Sequence, residues 1–422
     1  MRTFCAQMSK KLRDIWRTNT KVVENYVYMT ALQVLNGCFY ILIYPFLIRV
    51  LGAESYGLYA YAMAVVALFI TFISLGFDLP SAKRIAEHAE DNAVKAQVLS
   101  EVTTAKIILE LIALGVYAVL LFAAPKMQAN KLLFAIVFAQ TLPNILFPQW
   151  YFQGIQRMRV VTYIQVAFKI ATLPFIFRLL HGPDDLWIYA LIVTVSTVLG
   201  GILAWLLIRF KDGLRVRLVS LPVVWKATRE ALPFFLSNAT SVLKEQGIVL
   251  LIGQFLGMSD VAIYDLANKI IIIPRTIFSK LNDALFPKMM AQPDASRRKR
   301  VLLSETVVGL ASIVIIAALG YWAVLVLGGH AMLASYPVSI ILSITILSWL
   351  VVGAMIYFYI IPSGKTYLIT VDQLIAMLTT FVFAGVGVYF TRSVYMLAGS
   401  LAFAGLAEML FCSIVIYYIR KL

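Results

Sequence analysis

"LLFAIVFAQTLPNILFPQWYFQGIQRMR", residues 132–159, decides what kind of protein this is. A mainly apolar run, 132–152, ends in Trp150, Tyr151 and Phe152. Gly154, Arg157 and Arg159 follow. As a helix rising ~1.5 Å per residue, the run is long enough to cross about 30 Å of hydrocarbon. Its ending suits a bilayer boundary: amphipathic rings favour the headgroup level, and the two arginines suit a tight turn in water.

Runs of this kind recur from one end of the chain to the other. Of 422 residues, 61% are hydrophobic and 14% charged, against about 25% charged in soluble proteins. The mean hydropathy of +0.87 agrees. A membrane β-barrel would instead show short alternating segments. The sequence therefore predicts an all-α polytopic membrane protein. Twelve spans are expected, at about 24–48, 57–77, 102–123, 132–152, 160–180, 186–208, 232–256, 261–286, 303–327, 336–360, 367–390 and 396–418. The basic first 21 residues do not form a cleavable signal peptide, because the apolar run after them is too long and has no small-residue cleavage site. All connections are short, leaving no room for a soluble catalytic domain.

Charge placement orients the chain. With the N-terminus cytoplasmic, 25 of the 36 lysines and arginines fall in cytoplasmic segments. Five fall on the other side (Arg49, Lys126, Lys131, Arg178, Arg392) and six inside spans. Both termini are expected in the cytoplasm. The net charge of +15 is thus mostly a topology signal, and no nucleic-acid partner is expected.

The chain also resembles itself. "LGAESYGLYAYAM" (51–63) aligns with "LGMSDVAIYDLAN" (256–268), matching Leu51/Leu256, Gly52/Gly257, Tyr59/Tyr264 and Ala62/Ala267. Asp78 and Asp283 keep the same spacing. Spans 1–2 then correspond to spans 7–8, and the expected architecture is a parallel repeat: two six-helix bundles, 1–215 and 216–422, around a central cavity.

Ionic residues inside the bilayer cost at least roughly 2.5–3.5 kcal/mol each, so they should face protein or a watery hollow. The bases are Lys106, Lys169, Lys244, Lys269, Arg275 and Lys280; the acids are Glu110, Glu245, Asp265, Asp283, Asp372 and Glu408. At 100° per residue, Asp265, Lys269, Thr276, Lys280 and Asp283 form one stripe on span 8. Ser237, Ser241 and Lys244 share a face of span 7, and Asn25, Gln33 and Asn36 one side of span 1. Lys106 with Glu110, and Asp265 with Lys269, stand at i, i+4 and read as mutually neutralising pairs. Lys106, Lys280, Asp283 and Asp372 lie near span ends, within reach of water by snorkelling. Lys169, Lys244 and Arg275 are deeper and have no acid at i±4. They are the leading candidates to receive an anion, with Lys269 and Lys280 along its route.

Other chemistries are not encoded. Three cysteines give no disulfide framework. His88, His181 and His330 form no metal-ligand spacing, and no nucleophile–base constellation is present. Gly364-Lys365-Thr366 lacks the earlier glycine of a phosphate-cradling loop. No cofactor and no ATP hydrolysis are expected.

Four stretches together resemble one family. "YPFLIRVLGAESYGLYAYA" (44–62), "LGFDLPSAKRIAEHAED" (75–91), "PQWYFQGIQRMR" (148–159) and "AIYDLANKIIIIPRTIFSKLNDALFPKM" (262–289) are similar, in order, to signatures of bacterial Wzx-type polysaccharide flippases. These belong to an exporter superfamily that includes the multidrug MATE transporters. The resemblance is clear over about 22–290 and beyond that rests on span count and length. It implies a multi-pass inner-membrane protein that moves an undecaprenyl-diphosphate-linked oligosaccharide from the inner to the outer leaflet, for O-antigen, capsule or exopolysaccharide. A polysaccharide polymerase and a chain-length regulator are the implied partners. On this reading Lys169, Lys244 and Arg275 hold the headgroup, and Gln33, Asn36, Ser241 and Thr276 face sugars. Glu408, Glu245 or Asp265 couples an ion. The adjacent Lys244-Glu245 departs from the uncharged polar residues expected there. The rivals are a drug/cation antiporter, which would need a dominantly acidic cavity, and a polymerase or acyltransferase, whereas the outer loops here are about ten residues or fewer.

Overall fold

The computed structural model describes residues 20–291, 295–365 and 367–421. Within these, the side chains of 20–23, 26, 237, 277–291, 295, 420 and 421 lie outside the description. Every regular element among the described residues is helical: α1 Thr20–Ser74, α2 Asp78–Glu87, α3 Asn92–Ala123, α4 Pro125–Ala129, α5 Lys131–Phe138, α6 Pro143–Leu146, α7 Gln149–Gly154, α8 Met158–Leu179, α9 Leu186–Phe210, α10 Leu221–Phe255, α11 Met258–Ala291, α12 Ala295–Gly328, α13 Ser335–Met355, α14 Tyr367–Phe390 and α15 Val394–Lys421. Nine helical stretches among the described residues are long and apolar enough to cross a membrane. One of them, Val27–Ser74, is 48 residues long, about 72 Å of helix and more than two bilayer cores. It breaks at Gly52, where φ is 78° and ψ 165°. The expected spans at 232–256 and 261–286 are helical as α10 and α11; their described residues are not among the nine. The chain is thus an all-α polytopic membrane protein. Large apolar side chains such as Leu111, Val119, Leu199 and Leu378 point outward, as lipid as solvent requires.

The chain divides into two compact units. Unit 1 takes the described residues up to Tyr40, with Phe69–Leu179 and Ile188–Phe235; unit 2 takes Ile41–Leu68, Leu180–Trp187 and the residues from Leu236 on. The opening stretch lies in unit 1 and differs from its sequence reading in two ways. Trp150, Tyr151 and Phe152 are buried, at 3%, 1% and 2% exposure. They pack with Phe77, Ile85, Leu99 and Val102 and do not sit among headgroups. The Tyr151 hydroxyl donates to Asp212 Oδ2 at 2.9 Å, and Arg157 donates to Asp212 Oδ1 at 2.7 Å. The aromatic–glycine–arginine block is therefore a clasp holding α7 to the turn after α9. The second difference is that the expected helix 132–152 is broken into α5, a 3-10 turn Ala139–Thr141, α6 and α7.

In unit 2, α12 packs on α13, α13 on α11 and α15, and α14 on α15. The two self-similar stretches meet here. Tyr56 donates to Asp265 Oδ2 at 2.8 Å, and Tyr44, Tyr56, Tyr59 and Tyr264 are all buried. Each stretch is a corner between helical segments, at Gly52 within α1 and at Gly257 between α10 and α11.

Candidate functional site

One proline builds the principal site. In a helix the amide of residue 148 would bond the carbonyl of residue 144, but Pro148 has no N–H. The Asn144 carbonyl is left for another donor, and Lys106 Nζ on α3 takes it at 3.3 Å. The same ammonium donates to Asn144 Oδ1 at 3.1 Å and to Asp78 Oδ1 at 3.0 Å. Asn144 is itself fixed: Ser74 Oγ donates to its Oδ1 at 3.1 Å and its Nδ2 donates to Ile70 O at 3.3 Å. Gln149 N turns back to Phe147 O, so Ile145 O is also freed, and Trp205 Nε1 donates to it at 3.1 Å. Non-helical backbone survives at membrane depth only where protein or a cavity satisfies it, and here both do.

The cavity beside this break has a volume of about 460 Å³ and lies wholly within unit 1. Lys106 and Lys169 line it from α3 and α8, with Gln140, Asn144, Gln165, Ser196 and the Trp150 ring. Lys169 donates to the neutral oxygen Asn36 Oδ1 at 2.5 Å and stands 5.5 Å from the Phe39 ring centre. Asp78 is the carboxylate in the lining, and it is engaged by Lys106.

Unit 2 holds two ion pairs between helices. Lys244 lies 3.1 Å from Glu408 Oε1 and Arg275 2.9 Å from Glu245 Oε1. The Arg275 guanidinium also lies over Trp349, 5.1 Å from the ring centre. The adjacent Lys244 and Glu245 thus serve different partners, tying α10 to α15 and to α11. Lys269 and Asp265 stand 3.8 Å apart. Ser241 donates to Gln373 Oε1 at 3.0 Å, and the Thr276 hydroxyl returns to its own helix at Ile272 O. Asp372 is fully buried; Cys412 Sγ contacts its Oδ1 at 3.5 Å, and among the described residues no donor reaches its Oδ2.

Set against the sequence reading, Lys169 lines a cavity, whereas Lys244, Arg275 and Lys269 engage carboxylates of other turns or helices. Asn36 supports Lys169; Gln33 is exposed and outside the lining. The side chains of Ser237, Lys280 and Asp283 lie outside the described residues. Three expectations are corrected. Lys106 does not pair with Glu110, because Asp78 and Asn144 converge on it from other elements and Glu110 Oε1 accepts from Thr141 instead. Lys106, at 2% exposure, does not reach water, since its ammonium is consumed inside the protein. Asp372, at 0%, does not reach water either. Lys106, Gln140, Asn144 and Gln165 were not marked as site residues by sequence. Among the described residues no three His, Cys, Asp or Glu side chains are arranged to hold a metal ion.

With this geometry in hand, similarity to known proteins becomes informative. A family model described as "Polysaccharide biosynthesis protein" matches residues 22–293. A "Putative O-antigen transporter" of Escherichia coli (strain K12) is 24% identical over 280 residues, covering 66% of this chain and 68% of the relative. Another of the same name, from Shigella dysenteriae, is 25% identical over 256 residues, covering 60% and 64%. The matches thus span about two thirds of each relative. Among solved structures, the lipid II flippase MurJ in an inward closed conformation superposes with a TM-score of 0.72 at 14% identity, over 94% of this chain and 87% of that one. An inward-facing multidrug resistance MATE family transporter of the MOP superfamily gives 0.65 at 13% identity, over 92% and 96%. At such identities these structures establish a shared fold.

Proposed function

The chain belongs to the polysaccharide biosynthesis protein family, and from that premise we propose that it flips an undecaprenyl-diphosphate-linked oligosaccharide from the inner to the outer leaflet of the bacterial inner membrane, which it crosses many times. The observation that carries this reading is the unit 1 cavity. Two ammonium groups and a set of neutral amides and hydroxyls face one hollow within membrane-spanning helices. A diphosphate is the ligand such cations favour, because charge-assisted hydrogen bonds strengthen where the dielectric is low. Gln140, Gln165, Ser196 and the Trp150 ring offer sugars hydrogen bonds and an apolar surface. The polyprenyl tail remains in lipid. A cationic drug would meet the opposite: two ammonium groups and one carboxylate already engaged.

On this proposal the chain has twelve spans with both termini cytoplasmic, and halves 1–215 and 216–422 rock in alternating access. Lys169 receives the headgroup, and Lys106 joins it when its ion pair with Asp78 opens. Lys244 and Arg275 join them when their ion pairs with Glu408 and Glu245 open, with Lys269 and Lys280 along the route and Asn36, Gln33, Ser241 and Thr276 as polar neighbours. Glu408, Glu245 or Asp265 carries the coupled ion. Polymerase and chain-length regulator act on the product outside.

Deletion of the gene tests the activity: complete lipid-linked repeat units should accumulate on the inner leaflet and surface polymer should vanish. Lys106→Gln and Lys169→Gln test the site. Each should lower surface polymer at least tenfold with normal protein levels, and full polymer in both variants would overturn the assignment of the headgroup to this cavity.

A further inference from the structure

A second built feature lies at the end of α9. After Phe210 the chain turns at Gly213 and continues without regular secondary structure to 220, "GLRVRLVS" over 213–220. The segment is fastened to α3 by two side-chain bonds: Arg217 N donates to Ser100 Oγ at 3.1 Å, and Val219 N to Thr104 Oγ1 at 3.3 Å. The match is geometric. Four helical residues rise about 6.0 Å, within the about 6.6 Å that two residues span when extended. Leu214 and Val216 pack into the unit 1 core while the alternate residues Arg215 and Arg217 are exposed; the alternation breaks at exposed Leu218, and Val219 packs inward again.

The segment closes a trough of about 630 Å³ against α9. One wall is apolar, formed by Ile202, Leu206 and Trp205; the rim carries Arg209, Arg215 and Arg217. Arg209 is in the last turn of a candidate span, Pro183–Phe210, so the three guanidiniums stand at headgroup depth. No described carboxylate forms an ion pair with any of them, and the neighbouring acid Asp212 is held by Tyr151 and Arg157. Ile202 and Leu206 are exposed along the helix leading away from the rim. A surface with clustered arginines at one end and an open apolar strip at the other complements one molecule: a lipid with an anionic head.

We propose that this trough is a binding site for an anionic phospholipid of the surrounding bilayer, its phosphate on Arg209, Arg215 and Arg217 and an acyl chain along Ile202 and Leu206. Such basic pockets beside membrane helices are suited to anionic headgroups. The site is separate from the cavity, and the inference rests on the membrane-spanning fold and not on the transported substrate. By pinning a lipid to the segment that joins α9 to α10, it would make the protein's stability depend on bilayer charge.

The test is native mass spectrometry of the full-length protein released from nanodiscs containing equal phosphatidylglycerol and phosphatidylcholine. The wild type should retain phosphatidylglycerol preferentially. Arg209→Gln, Arg215→Gln and Arg217→Gln should each weaken the preference about fivefold, equivalent to about 1 kcal/mol per arginine near a charged surface. The triple variant should bring the two lipids to parity while the cavity variant Lys106→Gln keeps the wild-type preference. Absence of preference in the wild type, or its persistence in the triple variant, overturns the proposal. So does displacement of the bound lipid by equimolar undecaprenyl diphosphate, since the trough would then belong to the substrate.

Discussion

Pro148 is the residue on which the unit 1 cavity depends. It withholds an amide from the Asn144 carbonyl, and the Lys106 ammonium fills the gap at 3.3 Å. Pro148→Ala supplies the missing donor and lets the backbone continue as helix across the break. The expected result is an unchanged or raised unfolding temperature together with surface polymer reduced several-fold, because the carbonyl now bonds its own helix. A lowered unfolding temperature with normal polymer would show that the break is structural only. The Lys244–Glu408 pair makes the opposite case. Removing one partner leaves the other charge in a mostly buried place, at a cost on the order of 3 kcal/mol. Glu408→Gln alone should therefore lower thermal stability more than Lys244→Gln and Glu408→Gln combined, as read by thermal unfolding in detergent. Both cases explain how far the site was legible. Depth and the absence of an acid at i±4 drew attention to Lys169, which lines the cavity. The nearby Glu110 hid Lys106, whose partners come from distant stretches of chain. A signal for it did exist: Gln140 and Asn144 one turn apart in an apolar run, with a proline four residues after the asparagine.

At the scale of elements, α1 shows two glycines required for different reasons. Gly52 breaks the helix at φ 78° and ψ 165°, a region essentially closed to other residues and costing on the order of 1–3 kcal/mol when one is forced into it. A Cβ there would meet nothing within 4 Å, so Gly52→Ala should lower the unfolding temperature through the backbone alone. Gly57 is helical, but its Cβ would lie 1.7 Å from the Met258 carbonyl oxygen. Gly57→Ala must push the two self-similar corners apart and should be the more damaging of the two in the same unfolding assay. A reversed order would contradict this packing. The helices themselves were readable because a span needs only length and apolarity. The breaks were not. An apolar run with prolines at 143 and 148 still reads as one span, because hydropathy averages over the residues that interrupt it. The aromatic block misled for a related reason: Trp, Tyr and Phe suit a headgroup boundary and a protein core equally well, and only neighbours such as Phe77 and Ile85 distinguish them.

For the whole molecule, the decisive quantity is how many times the chain crosses the bilayer. Val27–Ser74 would extend about 72 Å if straight, which no bilayer of about 30 Å accommodates by tilt within the usual 0–40°. The proposed topology places the Gly52 corner at or beyond one surface, and the arginine and lysine bias predicts that surface to be the outer one. Two exposed positions separate the possibilities: Glu54, next to the corner, and Glu90, in the turn between α2 and α3. In a cysteine-free background, Glu54→Cys should react with a membrane-impermeant maleimide in intact spheroplasts. Glu90→Cys should react only after the membrane is permeabilised. The exchanged pattern would invert the orientation while keeping the double crossing. Labelling of both from outside would mean that the segment from Gly52 to α2 does not cross at all, and the twelve-span, six-plus-six arrangement on which alternating access depends would fall with it.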